Sequence, residues 1–221
     1  LETEHENLRS ALHWLCDEGD PALGGQLAGA LGLFWYAYGY HSEGQHWINQ
    51  FLEQMDRVPV QHHSKLLIAA GHIHMLYDLT IAKRHFGQAL RIAEELGDTT
   101  TIPWAMIFLS YTLMDDMDAA INLAEQGLSL LRETRHKPGI AQALNVIGEL
   151  ARVKGDDDRA RRAYEECLAI CKETGELRRV RFMLGNLCFL AQHAGDYAQA
   201  MQLGEQALQL ALELGNKLDI A

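Results

Sequence analysis

Only four prolines and four cysteines occur in 221 residues, and no stretch is rich in serine and glycine together. The first scarcity leaves no obvious linker. The second leaves no disulfide framework. No apolar run approaches the ~20 residues needed to span a bilayer, so no membrane partner is expected. Cations are also few. There are 19 Lys and Arg against 30 Asp and Glu, a net charge of −11 with His neutral. That balance argues against direct nucleic-acid contact by this segment. Lys154, Arg159, Arg161, Arg162, Arg178, Arg179 and Arg181 form a local basic cluster against the trend. It reads first as solvated helix faces and second as a phosphate or acidic-peptide contact. Apolar residues make up 48% and charged residues 22%, enough to bury a continuous core.

Chemical motifs are missing as well. There is no G-x4-G-K-[ST] phosphate loop, no G-x-S-x-G elbow and no H-E-x-x-H pair. No nucleophile, base and charge stabiliser converge, so no catalytic residue, cofactor or enzymatic role is expected. Eleven histidines raise the question of a metal. His72 and His74 are two apart, His62 and His63 adjacent, and His41 and His46 five apart. None has the i, i+4 spacing of a helical ligand pair, and no metal site is expected. Cys16, Cys167, Cys171 and Cys188 lack metal spacing and read as reduced core thiols, which suggests the cytoplasm. Asp156, Asp157 and Asp158, with Asp115 and Asp116, lack the alternating ligands of a calcium loop and read as turn and N-cap residues.

What is present is a repeat. Residues 141–175 hold two helical patterns around Gly155-Asp156-Asp157-Asp158. Leu144, Ile147, Gly148 and Ala151 mark the first. Ala160, Tyr164, Cys167, Leu168 and Cys171 mark the second. The small residue Ala160 has counterparts at Ala200, Ala120, Ala82 and Gly44, in steps of 40, 40, 38 and 38 residues. Leu168 keeps register with Leu208, Leu128, Leu90 and Leu52, and Tyr164 with Gly204, Ala124, Phe86 and Ile48. A fixed period with two helices per unit marks a helical solenoid.

These columns resemble the tetratricopeptide-repeat (TPR) signature, W-x2-L-G-x2-Y followed by A-x3-F. Here it reads Leu144-x2-Ile147-Gly148-x2-Ala151 with Ala160-x3-Tyr164, and Trp104-x2-Ile107-Phe108-x2-Tyr111. The units exceed the family's 34 residues, so each helix is expected to be longer than usual. The resemblance implies an all-α, TPR-like, right-handed solenoid of about eleven antiparallel helices over residues 1–221. A lone helix at 1–18 precedes repeats at 22–57, 60–97, 101–135, 138–175 and 178–215. A further unit starts after Gly215-Asn216 and is cut off, which predicts a homodimer through the exposed end.

A narrower resemblance lies at the start. Leu1-x2-Glu4-x2-Asn7-Leu8-Arg9-x-Ala11-Leu12-x-Trp14, then Gly39-x3-Glu43-Gly44-x2-Trp47, is similar to the entry of the TPR-like region in MalT-like, LuxR-type transcription factors of the STAND class. That implies a non-catalytic sensor or protein-interaction module of a larger regulator, taking a protein, peptide or small-molecule effector in its concave groove. The alternative is a generic scaffold for peptide or protein partners with no small-molecule ligand.

In TPR proteins the first helix of each unit lines the concave face. Carrying Asn145, Glu149 and Arg152 along the period places Phe189 and Gln192, Leu109 and Thr112, Leu67 and His74, and Leu33 and Tyr36 on that face. Two readings stay open: an accessible groove, or a face buried in the solenoid's own interior.

Overall fold

A computed structural model of the chain describes residues 2–214. The expected break at Gly215-Asn216 and the unit after it lie outside the described residues, as does Leu1. Eleven α-helices and two short 3-10 turns fill the described residues, and no strand occurs among them. They are α1 (His5–Asp17), α2 (Pro21–Ala37), α3 (His41–Glu53), α4 (Val60–His74), α5 (Leu79–Glu95), α6 (Ile102–Ser110), α7 (Met117–Glu133), α8 (Lys137–Lys154), α9 (Asp157–Thr174), α10 (Leu177–His193) and α11 (Tyr197–Glu213). The chain divides into two compact units, Leu1–Leu113 and Met114–Ala221. α6 falls in the first and α7 in the second, so the two helices of the 101–135 pair belong to different units.

The sequence sets the helix starts by one recurring device. Asp78, Asp116, Asp156 and Asp196 are the N-caps of α5, α7, α9 and α11. Each carboxylate accepts a backbone N–H of the first turn, at 2.9 to 3.1 Å. This satisfies donors that the helix cannot pair itself and places negative charge at the positive end of the dipole. Gly155, with φ at 84°, ends α8 in the left-handed conformation that side chains avoid. The acidic run at Asp156 is thus capping chemistry.

Helix length departs from expectation at one place. Most helices run 13 to 18 residues, but α6 has nine. The hydroxyls of Ser110 and Thr112 turn back onto the carbonyls of Ile107 and Leu109, at 2.6 and 2.7 Å. Those bonds compete with the helical ladder, and the chain takes six residues of turn before Asp116 caps α7.

In the first unit the core is Leu12, Leu31, Phe34, Trp35, Trp47, Ile48, Phe51, Leu66 and Ile73 with small residues between them. α2 crosses α4 on Gly29 and Gly32. A Cβ on Gly32 would sit 2.3 Å from the Ala69 Cβ and 2.6 Å from its Cα, so the two backbones nearly touch. In both units a first-helix glycine receives a second-helix aromatic. A Cβ on Gly71 would strike Phe86 at 2.3 Å, and one on Gly148 would strike Tyr164 at 2.4 Å. Phe86 and Tyr164 are fully buried in these seats.

Candidate functional site

The close crossing of α2 on α4 sets Ala30 and Leu33 beside Lys65, Ile68 and His72, all on one side of the first unit. α6 closes that side with Trp104 and Phe108, whose rings stack at 5.9 Å. The turn before α6 adds Thr100 and Thr101. Together they enclose a cleft of about 290 Å³, open to solvent on one side. The Asp98 carboxylate holds that turn. It accepts the Thr100 and Thr101 backbone N–H groups at 3.1 Å each and the Thr100 hydroxyl at 2.6 Å. Partial burial pushes the Asp98 pKa up, but these bonds outweigh it and leave it below the usual carboxylate range.

His72 forms part of the cleft floor. It is 4% exposed and caged by rings: Phe108 at 4.2 Å, Phe86 at 5.6 Å and Tyr36 at 5.8 Å. Neither ring nitrogen makes a well-formed hydrogen bond, and the Thr101 hydroxyl is also buried without one. Burial drives the His72 pKa down to about 4, against a small opposing pull from the Ile68 carbonyl one turn back. His72 is therefore neutral near pH 7 and acts as an aromatic wall.

The second unit presents a polar cluster instead. Glu149 on α8 accepts the Tyr164 hydroxyl of α9 at 2.7 Å and the Asn186 amide of α10 at 2.8 Å. Its other oxygen accepts Arg152 at 2.8 Å. The Arg152 guanidinium lies 5.3 Å from the centroid of the Phe189 ring, a cation–π distance. Burial, with the Glu149 carboxylate beside it, pushes the Tyr164 phenol well above its usual range. One carboxylate thus joins three helices.

Of the face residues expected from the repeat, Leu33 lines the cleft. Tyr36 is half-buried against His72. Asn145 is half-buried on α8, Glu149, Arg152 and Phe189 meet in the cluster, and Gln192 is exposed. Leu67 and Thr112 are buried, and His74 is half-buried outside the cleft. Leu67 is core, packed with Ala89 and Ala105. Thr112 is buried and bonded to Leu109. His74 turns away from the cleft: its Nδ1 bonds the Ala70 carbonyl at 2.8 Å and its ring meets His85 of α5 at 5.2 Å. Leu109 packs partly buried against the Phe86–Phe108 cluster. The reason is register. The links between paired helices differ: four residues after α4, six after α6 and two after α8. The spacing from socket to ring also differs, 15 residues from Gly71 to Phe86 against 16 from Gly148 to Tyr164, so the α4 columns slip by one, and one residue turns a helix by about 100°. The residues missed on α4 are Ile68, one position after Leu67, and His72 a turn further on; on α6 they are Phe108, one position before Leu109, and Trp104 a turn earlier.

At the start of the chain, the two halves of the N-terminal motif meet. Arg9 of α1 donates to Glu43 of α3 at 2.7 Å, and His5 lies 3.0 Å from the other Glu43 oxygen. Burial raises the Glu43 pKa, but the bonds from Arg9 and His5 outweigh it and hold the carboxyl low. Cys167 and Cys171 approach to 3.9 Å as free thiols.

A family model described as tetratricopeptide repeat matches residues 107–173. The fold is a TPR-like helical solenoid. Among solved structures, this TPR-like chain superposes with a TM-score of 0.71 on a STAND protein with a tetratricopeptide-repeat sensor from Pyrococcus horikoshii, at 10% identity, over 99% of this chain and 35% of that one. It superposes with a TM-score of 0.61 on NprR in complex with its cognate peptide NprX, at 16% identity, over 95% of this chain and 61% of that one. In sequence it is 25% identical, over 98% of its length, to a Mycobacterium tuberculosis protein whose name describes an HTH-type transcriptional regulator. The chain spans about a quarter of the length of the curated relatives it matches. No helix among the described residues is long and apolar enough to cross a membrane.

Proposed function

We propose that this chain is a non-catalytic, cytoplasmic sensor module of a multidomain signalling or transcriptional regulator of the MalT-like, LuxR-type STAND kind. It binds an effector or partner on the faces formed by α2, α4 and α6 in one unit and by α8 and α10 in the other. The observation that carries this is the cleft over His72: a concave, largely apolar site with a few polar groups, as ligand sites commonly are. The helix packing gives the mechanism. α2 and α4 approach closely at Gly29 and Gly32, with little side chain between them there, so a ligand wedged beside them biases their crossing. The relatives' regulator names and the STAND sensor neighbour support the setting. The apolar outer face of α11, with Tyr197, Met201, Leu208 and Leu212 exposed, is where two copies would pair; a monomer mass at every concentration in light scattering removes that part.

A second reading, a scaffold for peptides without a small ligand, is favoured by one feature. Phe182 and Phe189 stand exposed two turns apart on α10, with Gly185 open between them. A thermal-shift screen against sugars, nucleotides, amino acids and short peptides separates the two. A small molecule at 100 times its Kd raises stability by about 2.7 kcal/mol. Saturable shifts from small molecules support the sensor. Shifts from peptides alone select the scaffold.

A further inference from the structure

From the cleft over His72 we infer the chemical class of its ligand: a small aromatic or branched aliphatic acid, with its apolar body between Leu33, Ile68, Trp104 and Phe108 and its anionic group on Lys65. This rests on the sensor reading above and narrows it. Size comes first. The cleft's roughly 290 Å³ holds on the order of ten water-sized groups, at the lower edge of small-molecule pockets. Shape comes next. Trp104 and Phe108 are stacked with planes 20° apart and give one flat wall, and Leu33 and Ile68 complete the apolar lining. A flat or branched apolar body fits against them.

Charge decides the remaining group. Lys65 is the one charged residue among those lining the cleft. It is exposed at the rim, and no carboxylate among the described residues pairs with it. The nearby Asp98 is turned into its own loop, committed to Thr100 and Thr101. The Glu149 side chain of the second unit shows the contrast, since its groove cation Arg152 is already neutralised. His72 adds no charge, because its cage keeps it neutral. An unpaired ammonium above an apolar cleft recognises an amphipathic monoanion.

The test uses the 221-residue chain and 3-phenylpropionate, followed by titration calorimetry and by the change in tryptophan fluorescence that Trp104→Phe should remove. The expected result is one saturable site, with affinity about tenfold weaker for the neutral amide of the same acid and for Lys65→Met. Ala30→Trp, at an exposed lining position, should abolish binding while leaving the circular dichroism and melting temperature unchanged. No saturable binding by the acid overturns the assignment, as does equal affinity for acid and amide, or binding that survives Ala30→Trp. The broader sensor reading has its own readout. If the acid fails while another small molecule stabilises the chain and is blocked by Ala30→Trp, the ligand class falls and the sensor stands. If no small molecule stabilises the chain at all, both fall.

Discussion

The two units solve the same packing problem with different materials. The first is joined by absence: Gly24, Gly25, Gly29, Gly32, Gly44 and Gly71 each remove a side chain where a neighbour presses in. Its inner face is aromatic, and several of its buried polar atoms, on Trp35, His41, Ser64, His72, His85 and Thr101, have no partner. The second unit is joined by charge and hydrogen bonds. Glu149 ties three helices, Arg132 pairs with Glu166 at 2.6 Å, and Lys154 and Arg159 reach back to Asp118 and Glu125. Apart from the Tyr164–Glu149 bond, these links join residues 34 to 37 apart, about one repeat. Close-packed backbone with polar groups left unsatisfied makes a face with room for a ligand. A satisfied network makes a face that holds its own shape.

The sharpest way to break this contrast is to give the first unit the side chain it lacks. Gly32→Val drives methyl groups into the Ala69 backbone, which cannot step aside. It should cost about 3 kcal/mol, a fall of about 6–12 °C in Tm by calorimetry. The matched Gly148→Val meets the Tyr164 side chain, not backbone, and should cost less. A larger loss at Gly148 would dissolve the distinction.

Acid should act next. His72 titrates near 6.5 when unfolded and about 4 when folded, so between those values the unfolded chain binds more protons. Its contribution is intact above pH 6.5 and is lost as pH falls toward 4, by at most about 3 kcal/mol. His85, which burial and the neighbouring His74 and Arg84 also hold down at about 4, adds in the same direction. His72→Phe should flatten the fall in Tm between pH 7 and pH 5. An unchanged slope would show that His72 is not the group responsible.

Removing the hub of the second unit should rank third. Glu149→Ala strands the buried Tyr164 hydroxyl and the Asn186 amide, at a cost of about 2 kcal/mol in urea unfolding. The double variant with Tyr164→Phe should recover part of that loss. Additive losses would mean that the two groups are not coupled. The smallest effect belongs to the exposed pairs. Lys154→Met should change stability by no more than about 0.5 kcal/mol, and 0.5 M salt should erase the difference.

The fold was legible because its signals are local and repeated. Asp caps, the Gly155 stop and small residues at steps of 38 and 40 can be read without knowing the contacts. The cleft was not, because it depends on register. Link length between paired helices is set by turn chemistry, such as the back-bonding of Ser110 and Thr112, which has no period. Leu67 and Ile68 are equally apolar, and only the packing of α4 on its neighbours, such as Phe86 seated on Gly71, decides which one lines the cleft. The Glu149 cluster was half legible. Glu149, Arg152 and Phe189 came from one stripe, whereas Asn186 and Tyr164 lie outside it.

The glycine seats for Phe86 and Tyr164 have a bearing on how such chains change over generations. A socket on one helix and a plug on its partner form a matched set, so neither can be altered freely alone. A duplicated or exchanged helix pair carries both halves with it and fits on arrival. Inheritance should therefore favour whole helix pairs as the unit of insertion and loss, with drift in length confined to the links between the socket and the plug.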